Sequence, residues 1–401
     1  MRCKIGEIAE VTMGQSPKSE YYNNKCIGTP FLQGNRTFGR KYPTFDTYTT
    51  VVTKSAKAGD IIMSVRAPVG DLNITPVDIC LGRGVCSLRM KNGNQEYLFY
   101  LMKYYIPHLL NKESGTVFGS VNRKDILGLE VNVVEYKEQQ KIARFLSAID
   151  EKIELNEHIN KNLEEQAVVL FRSWFSAFSL SPNSPRVNSE FGEIPEDFAV
   201  VKVGSLPMLV TDYVANGSFA SLKANVNLYQ EPNYAYFIRN TDLKSGSFGV
   251  FVDQHSYEFL SKSTLYGGEI IISNVGDVGS VFLCPKLDGR MTLGNNIIML
   301  RPEDDHLRYY LYVWFKYFQG QALIQGIKGG SAQPKFNKTD FKNTSVLIPP
   351  KDILTRFHET VAPMFETISQ RQAETSRLAD LRDTLLPQLM SGEIDVSDLD
   401  L

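Results

Sequence analysis

Arginine, lysine, asparagine and glutamine recur in short polar loops along this 401-residue chain. In the first half "GQSPKSE" from Gly14 holds Gln15 and Lys18, and "FLQGNRTFGR" from Phe31 holds Gln33, Asn35 and Arg36. Arg66 follows in "SVRAP", Arg83 in "LGRG", and Asn122, Arg123 and Lys124 in "GSVNRK". The second half offers Arg239, Asn240, Asn274, Asn295, Asn296, Lys335, Asn337 and Lys338. Arg and Lys suit guanine edges, Asn and Gln suit adenine edges, and Lys, Arg and hydroxyls in loops suit phosphates. The chemistry within reach is hydrogen-bonded reading of a nucleic-acid duplex. Each of these residues also has an ordinary use as a solvated loop residue or turn former, Asn above all.

The charge distribution permits that chemistry without requiring it. Net charge is −2, yet residues 1–136 carry +5 and residues 200–351 carry +3, while 177–199 and 352–401 carry −3 and −6. Two mildly basic segments, each followed by acidic chain, allow two local phosphate-binding faces.

Other chemistries lack their residues. Five cysteines stand apart with no C-x-x-C pair, and five histidines form no ligand pair at short spacing, so neither a disulfide framework nor a metal site is expected. "GIKGGSAQPK" from Gly326 has the glycines of a phosphate loop but not the spacing, and no Asn/Asp-Pro-Pro-Tyr methyltransferase signature occurs. No nucleophile, base and acid stand at motif spacing, although such triads are spatial. No apolar run reaches membrane-helix length and "MRCKIGEIAE" has no signal-like stretch, so a cytoplasmic chain is expected.

The elements that must position the loops are repeated. "GDIIMSVRAPVGD" from Gly59 shares its outline with "GEIIISNVGDVGS" from Gly268; "KIGEI" from Lys4 pairs with "KVGSL" from Lys202, and "LGRGVCSLR" from Leu81 with "LGNNIIMLR" from Leu293. An aromatic helical run follows in each half, "YLFYLMKYY" and "YYLYVWFKYF", and then a polar loop and a closing strand. Blocks in one order with slowly drifting offset indicate a duplicated unit. Short Val/Ile/Thr/Tyr-rich runs between Gly, Pro and Asn, with one aromatic helix, predict a compact α+β domain in each half.

Each domain is followed by a long helix. Residues 138–175 contain no Gly or Pro, and Ile142, Leu146, Ile149, Ile153, Leu163, Ala167, Leu170 and Trp174 form a stripe that also includes Asn156 and Asn160. At about 1.5 Å per residue it would measure about 57 Å. Its counterpart runs Leu354, Phe357, Val361, Met364, Ile368, Leu378, Leu381 and Leu385, with a kink or break expected at Pro363. A helix that long overhangs a domain roughly 30 to 40 Å across, which favours pairing of the two helices over each lying on its own domain. Asn156 and Asn160 are expected on a wetter stretch of the seam rather than as register-fixing buried groups. "SPNSPRVNSEFGEIPEDF" from Ser181 reads as a polar, proline-punctuated hinge. "LLPQLMSGEI" either covers the first domain or docks on a partner.

This order resembles the specificity subunit of type I restriction-modification systems, as do "EQQKIARFLSAIDEKI" from Glu138, "LFRSWF" from Leu170, "FGEIPEDF" from Phe191 and, most specifically, "LRDTLLPQLMSGEI" from Leu381. The resemblance covers essentially the whole chain. It implies a non-catalytic subunit with two pseudo-symmetric α+β target-recognition domains, residues 1–136 and 200–351. Two long helices, 137–178 and 352–391, separate them as an antiparallel coiled-coil-like spacer, with a linker at 179–199 and an acidic tail at 392–401. Each domain would read half of a split sequence in double-stranded DNA. Two methyltransferase subunits and, in the restricting complex, restriction-translocase subunits would be the partners, and methyl donor, ATP and magnesium would belong to them, leaving this chain no cofactor. A DNA turn of about 34 to 36 Å suits such a rod. Two other readings stay open: a protein-interaction adaptor, and a nuclease with a dispersed acidic metal site.

Overall fold

The structure, a computed structural model, describes residues 1–110, 119–330 and 333–396. The chain forms two compact units, Met1–Lys152 with Leu378–Leu401, and Ile153–Arg377.

In the first unit the apolar run after Gly59 becomes the strand Ile61–Ser64, buried throughout. Side chains alternate across a strand, so Ile61 and Met63 enter one core while Ile62 enters another with Leu32, Ile79 and Leu81. That two-sided burial explains an unbroken apolar run where a half-exposed strand would alternate. The strand lies in an antiparallel sheet ordered Ala9–Met13, Val85–Met90, Ile61–Ser64, Leu72–Ile74. Against it packs the helix Gln95–Leu110, which buries Tyr97, Leu98, Tyr100 and Leu101. A second sheet is ordered Tyr22–Asn23, Tyr48–Thr49, Thr29–Leu32, Ile79–Leu81, Ser55–Ala56. In it Thr29–Leu32 and Ile79–Leu81 run parallel, with Leu32 opposite Leu81.

The second unit repeats both sheets strand for strand. Its antiparallel sheet is ordered Met208–Asp212, Ile297–Pro302, Ile270–Ser273, Val281–Leu283, and its five-stranded sheet Leu228–Tyr229, Phe251–Val252, Ala235–Ile238, Arg290–Leu293, Thr264–Leu265. Ala235–Ile238 and Arg290–Leu293 are again the parallel pair. The framing glycines match in conformation: φ is +85° at Gly59 and +86° at Gly268, +97° at Gly70 and +95° at Gly279. Glycine, lacking a β-carbon, adopts these left-handed values at little cost, which is why the glycines recur in both halves.

Between neighbouring strands of each antiparallel sheet lies a repeated charge pair that the sequence patterns leave unmarked. Arg89 Nε donates to buried Asp60 at 2.7 Å, and Arg301 Nη2 to buried Glu269 at 2.9 Å. Asp60 also accepts from the Lys57 amide and Glu269 from the amides of Tyr266 and Gly267, so each buried carboxylate is satisfied.

Two long helices, Tyr136–Phe171 and Lys351–Ser391, contribute to both units. In the first unit Ile142, Ala143 and Leu146 join Leu386, Leu389 and Met390 in one core, and Arg382 Nη1 donates to Asp150 at 2.7 Å. In the second unit Phe171 and Phe175 meet the Phe357 ring at 5.8 and 5.0 Å, while Asn156 meets Arg371 and Glu374. Ascending numbers on one helix face descending numbers on the other, an antiparallel pairing within that unit.

Several expectations need correction. Lys351–Ser391 continues as helix through Pro363, where the Thr367 hydroxyl donates to the Pro363 carbonyl at 2.7 Å; a proline removes one donor, and packing on either side retains the helix. Leu381 is 45% exposed and Arg382 takes the inward place at 7%. At the end of the central stripe the fully buried places are Ala167, Phe171 and Phe175, four residues apart, with Leu170 and Trp174 partly buried against the same core; a π turn follows at Arg172–Ser176. Asn156 is fully buried and bonded to Glu374 and Arg371 rather than on a wetter stretch, while Asn160 is partly buried. Residues 186–195 form a hairpin, Arg186–Ser189 with Gly192–Pro195, rather than an open hinge. Ile194 and Phe198 are buried, and the Phe191 ring meets Trp314 edge-on at 5.3 Å. "LLPQLMSGEI" covers the first unit's core, and Val396 of the acidic tail is buried with it; the tail beyond residue 396 lies outside the described residues.

Candidate nucleic-acid interface

Parallel pairing sets two strand ends side by side, and the loops leaving those ends must meet. In the first unit the Gly82 amide donates to the Leu32 carbonyl at 2.8 Å and the Gly84 amide to the Gln33 carbonyl at 2.9 Å. A β-carbon at Gly82 would lie 2.6 Å from Gln33 Cα, so only glycine permits the approach. The second unit repeats the contact, with Gly294 donating to Ile238 at 2.7 Å.

Two further loops join the same rim. The Val65 amide donates to Gly84 at 2.9 Å and the Val121 amide to Val65 at 3.0 Å; the counterparts are Asn274 to Asn296 at 3.1 Å and Phe336 to Asn274 at 3.0 Å. Backbone bridges link Arg66 with Ser120 and Val275 with Lys335. Loops distant in sequence are thus fastened together by corresponding bonds in both units.

On the first unit's rim Lys18, Gln33, Arg36 and Arg83 line one groove of about 740 Å³. Tyr22 and Phe31, stacked at 4.6 Å, also line it. Gln33 accepts from the Ser16 hydroxyl at 2.8 Å, and that hydroxyl accepts from the Arg83 amide at 3.1 Å. Gln15 is exposed beside the groove and its backbone amide donates to Leu81. Arg36 pairs with Asp46 at 2.7 Å, and its hydrogen bond, together with that of Thr47, draws the Asp46 carboxyl below the usual range. Asn35 donates to Asp71. Arg66 is exposed; Arg123 donates to the Val11 carbonyl at 3.2 Å. Asn122 accepts from the Lys124 and Asp125 amides as the cap of the helix Arg123–Leu127, which leaves the Lys124 side chain exposed.

The second unit's candidates are more heavily engaged. Arg239 grips buried Asp242 through Nε and Nη2, a hydrogen-bonded pairing that raises the guanidinium pKa. Asn240 donates weakly to Asp277, whose carboxyl Lys244 and Ser280 hold below its usual range. Asn274 donates to the Phe336 carbonyl at 3.3 Å, and Lys338 Nζ to Asp212 at 3.0 Å. Asn337 caps Lys338–Lys342 as Asn122 caps its own helix. Asn296 is exposed in a left-handed turn with φ +65°, and Asn295 and Lys335 are exposed.

The type I restriction modification DNA specificity domain matches residues 1–165 and 195–374, once for each repeated half. The chain belongs to this family. The type I restriction enzyme MjaIX specificity subunit of Methanocaldococcus jannaschii is 27% identical over 99% of this chain and 94% of its own length. The HindI specificity subunit of Haemophilus influenzae is 26% identical over 97% and 98%. The crystal structure of the S subunit of the type I restriction-modification system of M. genitalium shares the fold, with a TM-score of 0.59 at 16% identity over 97% of this chain and 96% of that one. This specificity subunit therefore carries the family's duplicated α+β frame, with rim loops whose polar side chains differ between halves. No helix among the described residues is long and apolar enough to cross a membrane.

Proposed function

We propose that the chain reads a bipartite duplex DNA target, one half-site per unit, and scaffolds two methyltransferase subunits and, where present, restriction-translocase subunits, without catalysing a step itself. The carrying observation is that both rims are fastened by corresponding backbone bonds, Val65 to Gly84 and Asn274 to Asn296, while their side chains differ. A constant frame with divergent donors is what reading two different half-sites requires. The long helices, antiparallel where Asn156 meets Glu374 and Phe171 meets Phe357, are read as the spacer that sets the interval between half-sites. Duplication supplies two equivalent faces for two copies of one partner. Methyl donor, ATP and magnesium chemistry belong to the partners in this reading, and a bacterial or archaeal cytoplasm is the place where such a complex meets DNA.

The test is a gel shift of the full chain, with and without its methyltransferase, across a salt series. A sequence-selective complex whose affinity falls steeply with salt is expected. No DNA complex in either condition would favour the adaptor reading, and magnesium-dependent cleavage by the chain alone would favour a nuclease. Mapping methylated adenines in the host with and without the gene should return one split motif that disappears with the gene.

A further inference from the structure

We infer that one position of the repeated frame, Arg83 in the first unit and Asn295 in the second, sets a base pair in each half-site: a G·C pair for the first and an A·T pair for the second. The inference rests on the DNA-reading function proposed above and specifies its chemistry.

The two residues are structural equivalents. Each lies between a glycine tied to the neighbouring parallel strand, Gly82 to Leu32 and Gly294 to Ile238, and a residue whose carbonyl accepts from the adjoining loop, Gly84 from Val65 and Asn296 from Asn274. The backbone on both sides is held by hydrogen bonds, so the side chain projects from a preorganised position.

Their side chains are also free where most rim candidates are committed. Arg36 is held by Asp46, Asn35 by Asp71, Arg239 by Asp242, Lys338 by Asp212 and Asn337 by Asp340. Among the described residues the Arg83 guanidinium and the Asn295 carboxamide have no such partner, and both are exposed. A guanidinium donates in bidentate fashion to guanine O6 and N7, whereas a carboxamide both donates and accepts, matching adenine N6 and N7. The exchange of Arg for Asn at one place in a shared frame is therefore an exchange of base preference. Arg66, exposed on the same rim and replaced by Val275 in the corresponding bridge, reinforces the asymmetry.

The experiment presents a randomised duplex library to the full chain assembled with its methyltransferase and sequences the selected molecules. Arg83→Asn is expected to change one pair of the first half-site from G·C to A·T, a shift in preference of about tenfold to a hundredfold, and to leave the second half-site and the interval unchanged. Asn295→Arg should do the reverse. Arg83→Ala should leave that pair unselected, and thermal unfolding of all three variants should match the parent. Unchanged motifs in folded variants, a first half-site without any G·C pair, or loss of selection at both half-sites would overturn the inference while DNA reading stands. A parent complex that selects no sequence would overturn the DNA-reading function itself.

Discussion

The two units share a frame but hold their long helices by different physics. In the first, an aliphatic core of Ile142, Ala143, Leu146, Leu386, Leu389 and Met390 encloses an ion pair: Asp150 accepts from Arg382 at 2.7 Å and from the Tyr100 hydroxyl at 2.6 Å, in surroundings that bury both ionic side chains. In the second, aromatic packing dominates: Phe171, Phe175, Tyr310 and Phe357 interlock at centroid distances of 4.9 to 5.8 Å. The second unit's polar device is uncharged at its centre. Buried Asn156 donates to Glu374 at 2.8 Å and accepts from Arg371 at 2.9 Å. Apolar packing tolerates small shifts, whereas a buried polar group is satisfied in one register only. Duplication thus preserved the sheet frame and let the helix contacts diverge.

That contrast can be broken by mutation. Phe357→Ala should be the most damaging change, removing about 3 to 5 kcal/mol from the second unit, measured by hydrogen exchange on the strands Ile270–Ser273 and Ile297–Pro302. Equal loss of protection at Ile61–Ser64 would show that the aromatic cluster is not local to its unit. Arg382→Ala should cost about 3 kcal/mol in the first unit by denaturant unfolding, because Asp150 stays buried without its cation. The double change Arg382→Met with Asp150→Leu should recover most of that loss; failure to recover would mean the pair supports more than its own desolvation.

Smaller effects sharpen the comparison. Asn156→Ala should cost about 1 to 3 kcal/mol by leaving Arg371 and Glu374 short of a partner, and Asn156→Leu should loosen register in the second unit's helix pair, seen as split resonances or altered cross-linking. Asn122→Ala and Asn337→Ala should each cost about 1 kcal/mol, since both cap a short helix at matching places; unequal losses would show that one cap has a second role in binding. Least in effect is the acid limb. Hydrogen bonds from Ser256, with Asn227 and Tyr229, lower the Asp253 carboxyl to about 2. Asp253 caps the helix Gln254–Phe259 by accepting from the Ser256 amide; its folded pKa lies below its unfolded value, so that contribution is present above the ordinary carboxylate range and is lost as pH falls toward about 2. Carboxyl NMR should place its midpoint well below that of a free aspartate, and Asp253→Asn should flatten the response.

Legibility followed the range of the contacts. Gly59, Gly70, Gly268 and Gly279 announced their turns because a left-handed backbone disfavours residues with a β-carbon, and the apolar runs at Ile61 and Ile270 announced strands. The partners that tie down the rim candidates were not legible. Arg36 and Asp46 are 10 residues apart, Asn35 and Asp71 are 36 apart, and Lys338 and Asp212 are 126 apart. Asn122 and Asn337 were singled out as readers yet act first as caps, since one residue type serves both uses. The π turn at Arg172–Ser176 likewise had no signal in spacing, and neither did the full burial of Phe171 and Phe175 beside partly buried Leu170 and Trp174.

By itself the sequence determined the duplication, the α+β character of each half and the two long helices, because those follow from local propensity, hydrophobic period and recurring blocks; the family came from the resemblance of motifs such as "LRDTLLPQLMSGEI". Only tertiary structure decided which polar side chains remain free. A donor's availability depends on the acceptors that folding brings within about 3 Å, and neither composition nor spacing records that distance.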